Sequence, residues 1–361
     1  MKKTRVGILG ATGMVGQRFV MLLANHPWFD ITIVAASPRS AGKQYGHVMH
    51  DRWTMEEAIP EHVQSLVIHS VSDDVAVIAA NVDLVFSALD LDKQEIQDIE
   101  NSYAAAGIFV VSNNSAHRWT DDVPMILPEV NPEHLALVDI QRKNRGWTTG
   151  GIIVKSNCSI QSYVPMLKAW EEFVPTKVLV TTAQAISGAG KTFETWPEMV
   201  DNVIPYIGGE EEKSEKEPLK VFGSISGNKL IPATTPAISA TCLRVAVADG
   251  HMASLAVQFE KDVTEELLIV ALQQYQNPIA DLDLPSAPKE FIHYFPESDR
   301  PQTHTDRALG NGMTISVGRI RKDVVLGFKC IGLSHNTIRG AAGGAVLAAE
   351  LVVKKGYISS V

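Results

Sequence analysis

The chain has 361 residues and a formal net charge of −9 at pH 7, and because this length exceeds one ordinary hydrophobic core, two domains are expected. The acidic balance, without a local basic patch, argues against a nucleic-acid partner. No apolar run approaches the roughly 18 residues of a membrane span and the first residues do not form a signal-peptide core, so we expect no membrane association and a cytoplasmic protein.

The N-terminal segment predicts a dinucleotide-binding turn. A short apolar strand over residues 4–9 runs into glycines spaced three apart, and a helical pattern follows over residues 18–25. Glycines allow a tight turn and close approach of the backbone to a pyrophosphate, which the free N–H groups of a helix N-terminus bind. An ordinary glycine turn is the alternative, but the flanking strand and helix are the context that the motif requires. The expected cofactor contacts here are Gly10, Thr12, Gly13, Met14 and Val15.

The loop after the second predicted strand, residues 31–36, indicates which dinucleotide is bound. It lacks the carboxylate that usually holds the ribose 2′-hydroxyl of NAD, whereas Ser37, Arg39 and Ser40 offer donors for a 2′-phosphate. The sequence therefore predicts NADP as the cofactor. The alternative is that Arg39 and Lys43 are solvated loop charges.

The rest of the first half alternates apolar strands with helical patterns, which is typical of a Rossmann-type doubly wound parallel sheet in an α/β protein. We expect this NADP-binding domain to comprise residues 1–156. Its further predicted elements are strands over 65–69, 82–88, 108–112 and 124–127 and a helix over 93–106.

Cys158 lies between an apolar run, residues 150–154, and a helix-like stretch, residues 163–173. Unpaired N–H groups and the dipole at a helix N-terminus stabilise a thiolate, so we expect a nucleophile whose pKa is lowered toward neutrality. The alternative is a buried cysteine that only packs, the commoner use of a free cysteine. Cys242 and Cys330 lie in strand-like runs and are interpreted as packing residues, and the wide spacing of the three predicts neither disulfides nor a metal site.

The second half changes to long strands in neighbouring pairs, which predicts an α+β domain with a mainly antiparallel sheet over residues 157–335. A charged segment over 208–218 is expected to form a loop or a short helix. An alanine- and glycine-rich helix begins at residue 336, and the C-terminal segment is expected to pack against the first domain. The paired strands are predicted at 243–248 with 252–260 and at 313–321 with 324–334. The helix is predicted over 336–354, and the whole segment 336–361 is expected to pack on the first domain.

Arg244 and His251 are seven positions apart, which would place them on opposite faces of one continuous strand. Asp249 and Gly250 form a turn signal between them, so a strand break there would let both side chains reach one cleft. The alternative for His251 is a surface histidine beside a hairpin turn.

Together these motifs resemble those of aspartate-semialdehyde dehydrogenases, and the resemblance covers nearly the whole chain. The segment 209–213 and the compact second domain resemble the archaeal and fungal branch of that family. The matching segments are 10–16, 113–118, 124–131, 156–159, 184–190, 244–251 and 340–343.

The resemblance implies a catalytic and dimerisation role for the second domain, and an NADPH-dependent, phosphate-releasing reduction of L-aspartyl 4-phosphate to L-aspartate 4-semialdehyde. This reaction belongs to the biosynthesis of lysine, methionine, threonine and isoleucine. Cys158 would attack the acyl phosphate and form a thioester that takes a hydride from NADPH. His251 would act as acid and base for the thiol and the oxyanion, and Gln184 would orient the acyl group. Because pairs of such sheets often associate, we also expect a homodimer or homotetramer.

The binding roles follow from the same resemblance. Arg244 would pair with the substrate α-carboxylate through its planar fork. Glu210 would take the substrate amino group, with Glu211 and Glu212 leaving that choice open by one position. The implied phosphate contacts are Arg118 and Lys213, and the implied cofactor contacts in the second half are Ser187, Gly188 and Asn336.

One departure and three alternatives accompany this interpretation. Ile160 and Gln161 follow Ser159 where family members usually carry a threonine-containing run, which affects the local cofactor contacts. Malonyl-CoA reductase shares the scaffold and would apply the same thioester chemistry to a coenzyme A substrate. N-acetyl-glutamyl-phosphate reductase has glycine before and tyrosine-proline after its cysteine, and neither occurs here. A non-catalytic dinucleotide sensor would not need the concentration of polar residues around Cys158.

Overall fold

The computed structural model describes residues 3–358, and its strands form a six-stranded sheet, a seven-stranded sheet and a small two-stranded ribbon. In the six-stranded sheet all neighbours run parallel in the order β3-β2-β1-β4-β5-β6, the order of a dinucleotide-binding doubly wound sheet. This confirms the expected fold of the first half. The strands are β1 Thr4–Leu9, β2 Phe29–Ala36, β3 Ile68–Ser70, β4 Leu84–Ser87, β5 Phe109–Ser112 and β6 Gly151–Val154.

Six helices accompany this sheet. The first begins four residues before the predicted start at residue 18, because Gly13 takes the extended conformation of an N-cap and the following residues are already helical. The predicted strand over 124–127 is wrong: the segment makes only one isolated bridge, from Met125 to Val154. Prolines at 124 and 128 remove the N–H donors that a longer ladder would need. The helices are α1 Met14–Leu23, α2 Tyr45–Met49, α3 Glu61–Gln64, α4 Val75–Asn81, α5 Lys93–Ala105 and α6 Leu137–Arg145.

The seven-stranded sheet has the order β13-β14-β15-β12-β7-β11-β8. Its β13–β14 and β7–β11 pairs are parallel and its other four neighbouring pairs are antiparallel. The expectation of a mainly antiparallel second sheet is therefore confirmed. The strands are β7 Pro175–Gln184, β8 Val203–Ile204, β11 Ala237–Val245, β12 His251–Phe259, β13 Ile292–Phe295, β14 Ile315–Asp323 and β15 Gly327–Ser334, and the ribbon is formed by β9 Ser224–Ser226 and β10 Lys229–Ile231.

One of the two predicted strand pairs is wrong. The chain between β11 and β12 contains an Asp-Gly turn signal, but β7 lies between these strands and pairs with both of them. The connection instead crosses the end of β7, where the backbone N–H of Ile186 donates to the carbonyl of Val247. The second predicted pair, β14 with β15, is confirmed.

The helical segments of the second half differ from the predicted ones in three places. The stretch 163–173 breaks into a short α-helix and a 3-10 turn that ends where Val174 adopts a left-handed conformation. The charged segment expected as a loop or short helix forms a twelve-residue helix, α8. The C-terminal helix is preceded by a π-helical turn that is interrupted at Ala341. The helices are α7 Val164–Ala169, α8 Glu210–Val221, α9 Glu265–Gln273, α10 Thr303–Asp306 and α11 Gly343–Lys354, with the π-turn at Ile338–Ala342.

Helix α11 is buried along almost its whole length and packs beside α1 and β5 of the first sheet. Its Glu350 is fully buried and accepts a hydrogen bond from His26 at 2.8 Å. The C-terminal segment thus returns to the six-stranded sheet after the second sheet is complete. None of the helices within residues 3–358 is both long and apolar enough to span a bilayer.

A buried ion pair links the π-turn to the chain that follows β5. Arg339 is 1% exposed and its guanidinium makes a bidentate contact with the carboxylate of Glu129, which is 0% exposed. Arg339 also donates to the side chain of Gln161 in the turn after Cys158 and lies over the ring of Phe291. Arg339 and its partners therefore fix four separate parts of the chain relative to one another.

Glu129→Gln is expected to destabilise the fold by about 3–5 kcal/mol, because it leaves the Arg339 charge buried without its counter-ion. The measurement is urea unfolding followed by circular dichroism. The matched control is Glu171→Gln, which breaks the partly exposed Lys168–Glu171 pair and should change stability by at most ~1 kcal/mol. Equal losses in the two variants would show that burial of the pair has no special role.

Candidate active site

The glycine turn between β1 and α1 is shaped by close backbone contacts. Gly10 has φ +82°, and a Cβ there would collide with the carbonyl oxygen of Ala88. A Cβ at Gly16 would collide with the carbonyl oxygen of Gly10. At Gly13 the nearest neighbour of a Cβ would lie 3.5 Å away, and the residue is exposed. The two outer glycines are thus required by packing, while the middle one leaves an open surface for a ligand.

The first turn of α1 has the groups that a pyrophosphate needs. Gly13 caps the helix without a side-chain hydrogen bond, so the N–H groups of the first turn remain available to an anion. Thr12, Met14 and Val15, expected as cofactor contacts, are all partly exposed along this turn. These residues therefore fit a dinucleotide phosphate group.

The loop expected to bind the 2′-phosphate follows β2, the strand next to β1. The carbonyl of Ser37 accepts the backbone N–H of Ser40 at 3.0 Å, which forms a turn with Arg39 exposed at its centre. Lys43 donates to the carbonyl of Arg39. Within residues 3–358, no carboxylate forms an ion pair with the Arg39 guanidinium. The loop thus offers donors without a competing acid.

Cys158 precedes a 3-10 turn, Ser159–Ser162, rather than an α-helix. Asn157 shapes this segment, since its side-chain oxygen accepts the backbone N–H of Ser159 at 2.7 Å and its amide nitrogen donates to both oxygens of Glu210 at 3.0 and 2.9 Å. The cysteine retains partial exposure, while Cys242 and Cys330 are buried within strands. Among the cysteines, Cys158 is therefore the accessible one.

The expected lowering of the thiol pKa is wrong. Burial raises the pKa of Cys158 to about 11, and the negative charge of Glu210 adds to that rise. Lys155, Arg118 and Arg244 act in the opposite direction but do not outweigh burial. A four-residue 3-10 turn also lacks the aligned dipoles of a long helix, so the expected helix effect is weak.

Glu210 lies at the start of α8 and faces the cysteine segment. Lys213 donates to it at 2.7 Å and Gln184 at 3.3 Å, in addition to Asn157. Burial alone would raise the pKa of Glu210, but Lys213 and the hydrogen bonds hold it below its usual value, so the carboxylate is charged. Glu211 instead accepts the backbone N–H of Cys242 at 3.2 Å. Of the acidic neighbours, Glu210 is thus the one directed at the site.

Arg244 and His251 reach one cleft, although β7 separates their strands. A Cβ at Gly188 would lie 2.8 Å from Nη1 of Arg244 and 3.0 Å from Nε2 of His251. Arg244 donates to the carbonyl of Ala185 at 2.7 Å, and within the described residues it has no carboxylate partner. As the sequence predicted, the chain break between Arg244 and His251 lets both side chains reach one cleft. The two strands do not form the expected hairpin, however, because β7 lies between them.

The ring of His251 is held in one orientation. Its Nδ1 accepts the backbone N–H of Ala185 at 3.1 Å, so the proton of the neutral ring resides on Nε2. Nε2 is buried and makes no hydrogen bond within residues 3–358. Burial and the nearby Arg244 charge lower the pKa of His251 to about 3, so the ring is neutral at physiological pH.

Asn336 connects the remaining predicted cofactor contacts to the site. Its side-chain nitrogen donates to Ser187 at 2.8 Å, and its oxygen accepts the backbone N–H of Gly250 at 2.8 Å. Ser187 is adjacent to Gly188 in the chain, and Gly250 is adjacent to His251. Asn336 therefore fixes the loop after β7 against the start of β12.

Two family models match the chain: the semialdehyde dehydrogenase NAD binding domain over residues 5–138 and the semialdehyde dehydrogenase dimerisation domain over residues 165–339. An aspartate-semialdehyde dehydrogenase from Archaeoglobus fulgidus is 45% identical over 353 residues, covering 98% of this chain and 99% of that protein. The chain belongs to the aspartate-semialdehyde dehydrogenase family. A Saccharomyces cerevisiae member is 42% identical over 369 residues, 99% of each chain.

A solved structure extends the similarity to three dimensions. The crystal structure of aspartate semialdehyde dehydrogenase with NADP from Candida albicans superimposes with a TM-score of 0.88 at 39% identity, covering 99% of this chain and 100% of that chain. The predicted family is therefore confirmed, and its relatives include archaeal and fungal members as the sequence indicated.

Arg118, expected to hold a phosphate, is occupied in this member of the aspartate-semialdehyde dehydrogenase family. Its guanidinium donates to Glu217 at 2.9 Å and to the carbonyl of Lys155 at 3.0 Å. The other oxygen of Glu217 accepts the backbone N–H of Asn157 at 2.6 Å. Arg118 thus lies next to the cysteine segment, with part of its donor capacity already used.

Sequence reasoning missed three residues of the site. Asn157 could have been found, because it adjoins the cysteine within the matching motif. Glu217 gives no signal, since one acid in a charged segment is usually solvated. Lys155 is 2% exposed, and its position directly after a buried strand was the only indication that it is not a surface lysine.

Proposed function

We propose that the chain catalyses the NADPH-dependent reductive dephosphorylation of L-aspartyl 4-phosphate to L-aspartate 4-semialdehyde. The observation that carries this proposal is the convergence of a partly exposed cysteine, a neutral histidine and an arginine that has no carboxylate partner within residues 3–358, in a chain that also has a dinucleotide turn. Family membership supports the same reaction. In this role the enzyme serves the biosynthesis of lysine, methionine, threonine and isoleucine.

The reaction begins with attack by the Cys158 sulfur on the acyl carbon. The S–C bond forms, the C–O bond to phosphate breaks, the proton of the thiol leaves with the hydrogen phosphate, and a thioester remains on the enzyme. NADPH, when bound, would supply the hydride that reduces this thioester. The C–S bond then breaks, which frees the Cys158 sulfur and releases the aldehyde. The Nε2–H of His251 donates to the oxygen that becomes negative in each tetrahedral state, and Gln184 orients the acyl group.

The proposed binding groups have complementary charges. The planar fork of Arg244 pairs with the α-carboxylate of the substrate, and the carboxylate of Glu210 takes its ammonium group. Lys213 and Arg118 hold the leaving phosphate. The 2′-phosphate of the cofactor is bound by Arg39 with Ser37 and Ser40.

The two alternative functions receive less support. Malonyl-CoA reductase shares the thioester chemistry, but the similar proteins from Archaeoglobus, Saccharomyces and Candida are named as aspartate-semialdehyde dehydrogenases. A dinucleotide sensor would have no use for a buried Nε2 directed at the same glycine as Arg244.

The decisive experiment compares two assays of the purified protein. Aspartate semialdehyde with phosphate and NADP should give NADPH, and malonyl-CoA with NADPH should give no oxidation. Cys158→Ala should abolish the first reaction while retaining NADPH binding, because the thioester needs the sulfur and the glycine turn lies in the other sheet. Cys330→Ala, which removes a buried sulfur from β15, is the matched control and should remain active. Activity of Cys158→Ala within tenfold of wild type would contradict the covalent mechanism.

A second experiment concerns the cofactor. Arg39→Ala should weaken NADPH binding about tenfold to a hundredfold, since a charge-assisted hydrogen bond contributes roughly 1.5–3 kcal/mol. NADH binding should hardly change, because NADH has no phosphate at that position. Fluorescence titration with both cofactors measures this, with Lys43→Ala as the neighbouring control. An equal loss for NADPH and NADH would show that Arg39 only shapes the loop.

We further propose a cytoplasmic homodimer or homotetramer assembled through the second sheet, as the matched dimerisation domain suggests. Leu179, Val203 and Tyr206 are 48%, 56% and 62% exposed on or beside β7 and β8, which leaves apolar side chains for a second copy to cover. Leu179→Asp should shift the sedimenting species toward the 39.3 kDa monomer. Val324→Asp changes a fully exposed valine in the β14–β15 turn and should leave the mass unchanged. A wild-type monomer at micromolar concentration would contradict the assembly.

A further inference from the structure

Arg18 of α1 is a partly buried arginine to which the protein supplies no partner. Within residues 3–358 its guanidinium makes no hydrogen bond and no ion pair, and its Nε is buried. By contrast, Arg5, Arg118 and Arg145 of the same half of the chain each bind a carboxylate. A buried donor of a charged group normally has a partner, so the environment of Arg18 indicates a ligand that the protein itself does not provide.

Arg18 lies on the same face of α1 as Met14, in the first turn of the helix. The two residues are four positions apart, which places one side chain above the other. Side chains of a helix lean toward its N-terminus, so the guanidinium is directed at the first turn and its unpaired N–H groups. That turn contains no acidic residue. A cation beside the positive end of a helix dipole is unfavourable unless an anion lies between them.

The side chain lines a cavity of about 160 Å³ between the two halves of the chain. Met14 and Arg18 form one wall, and Ser187 and Lys191 of the loop after β7 belong to the other half. Among the lining residues, all of them within residues 3–358, Asp249 is the only acid, and it forms no ion pair with either cation. The cavity therefore has two cations against one acid, which suits an anion.

A further wall of the cavity is held in place by the buried Gln17, which adjoins Arg18 in α1. Thr54 lines this wall, and the side-chain oxygen of Gln17 accepts its backbone N–H at 2.8 Å and its hydroxyl at 3.1 Å. The amide nitrogen of Gln17 donates to the carbonyl of Arg52 at 3.0 Å. These bonds tie the segment of Thr54 to α1, so the cavity is already formed before a ligand enters.

The position of the cavity identifies the anion. It begins at Met14, in the turn that fits the pyrophosphate, and extends to Ser187, which accepts a hydrogen bond from Asn336 beside the proposed reaction centre. Arg39, in the loop proposed to bind the 2′-phosphate of the adenosine half, is not among the lining residues. The phosphate that lies between these two ends is the one on the nicotinamide side of the dinucleotide.

We propose that Arg18 binds the nicotinamide-side phosphate of the dinucleotide, with Lys191 as a second cation from the other half of the chain. The planar guanidinium offers two parallel donors, which suit two oxygens of one phosphate. Arg39 then distinguishes NADPH from NADH, whereas Arg18 contributes equally to the binding of both. This inference rests on the cofactor binding of the proposed function and is independent of its thioester chemistry.

The test compares three ligands that carry different phosphates: NADPH, NADH and adenosine 2′,5′-bisphosphate. Arg18→Gln keeps a polar side chain but removes the charge, so NADPH and NADH should each bind about tenfold more weakly, the effect of one charge-assisted hydrogen bond. Adenosine 2′,5′-bisphosphate lacks the nicotinamide-side phosphate and should bind unchanged. Cofactor fluorescence measures the first two ligands, and isothermal titration calorimetry measures the third.

Two comparison variants show whether the effect belongs to Arg18. Arg39→Ala should give the opposite pattern, with weaker binding of NADPH and of the bisphosphate and unchanged binding of NADH. Arg52→Gln removes an exposed arginine that does not line the cavity and should leave all three affinities unchanged. A loss confined to NADPH in Arg18→Gln, unchanged affinities in that variant, or an equal loss in Arg52→Gln would each overturn the assignment.

Lys191→Met tests the same cavity at an exposed position, where a substitution does not disturb the packing of α1. It should weaken the binding of NADPH and NADH about threefold each, because an exposed charge contributes less than a partly buried one. If Arg18→Gln does not fold, unchanged binding of both cofactors to Lys191→Met overturns the proposal.

A different source of phosphate is the leaving group of the proposed reaction. At saturating NADP, the KM for phosphate in the oxidation of aspartate semialdehyde should be the same in Arg18→Gln and in the wild type. A raised phosphate KM with wild-type cofactor affinity would assign Arg18 to the leaving phosphate and overturn the inference. The titrations need no substrate, so the expected affinities in a protein inactive on aspartate semialdehyde would refute the proposed reaction and leave this inference standing.

Discussion

The carboxylate of Glu217 is the contact on which the geometry of the site depends. It is 0% exposed; one oxygen accepts from the guanidinium of Arg118, and the other accepts the backbone N–H of Asn157. These groups belong to α8, to the loop after β5 and to the segment after β6, so one acid joins the helix of the second sheet to two strand ends of the first. Because all three groups are buried, water cannot replace a lost partner, and the position of Cys158 follows from this connection.

The order of strands in the second sheet explains why distant residues share one cleft. β7 and β11 are parallel and in a register that pairs Gln184 with Arg244, so both side chains lie at the same end of the sheet. β12 runs antiparallel to β7 and pairs Met252 with Ala183, which brings His251 to that same end at the start of its strand. If β11 and β12 had formed a simple hairpin, β7 could not lie between them, and Gln184 at its end would not stand between Arg244 and His251. The insertion of β7 is thus what places the proposed acyl-orienting, carboxylate-binding and proton-donating groups together.

The sequence predicted the structural features that a single short segment determines by itself. The strand, glycine turn and helix at the N-terminus were predicted from the sequence because they form one short segment whose geometry is determined locally. The pairing of β11 with β12 was not, since an Asp-Gly signal describes only adjacent residues, and β7 enters from about sixty positions earlier in the chain. The thiol pKa was also predicted wrongly, because burial and Glu210 act on it from outside the local sequence. Lys155 was missed for the same reason, because its position directly after the buried strand β6 was the only local indication of its burial.

The ion pairs near the site separate the basic side chains that have a carboxylate partner from those that have none within residues 3–358. Three cations near the site already have acids: Arg118 binds Glu217, Lys213 binds Glu210, and Arg339 binds Glu129. Within residues 3–358, Arg244 and Lys155 are buried basic side chains whose hydrogen bonds go to backbone carbonyls alone. Arg244 lies beside His251 at Gly188, which is where the proposed function places the substrate carboxylate. An arginine that donates only to a backbone carbonyl keeps donors for such an anion, whereas Arg339 uses both terminal guanidinium nitrogens on Glu129.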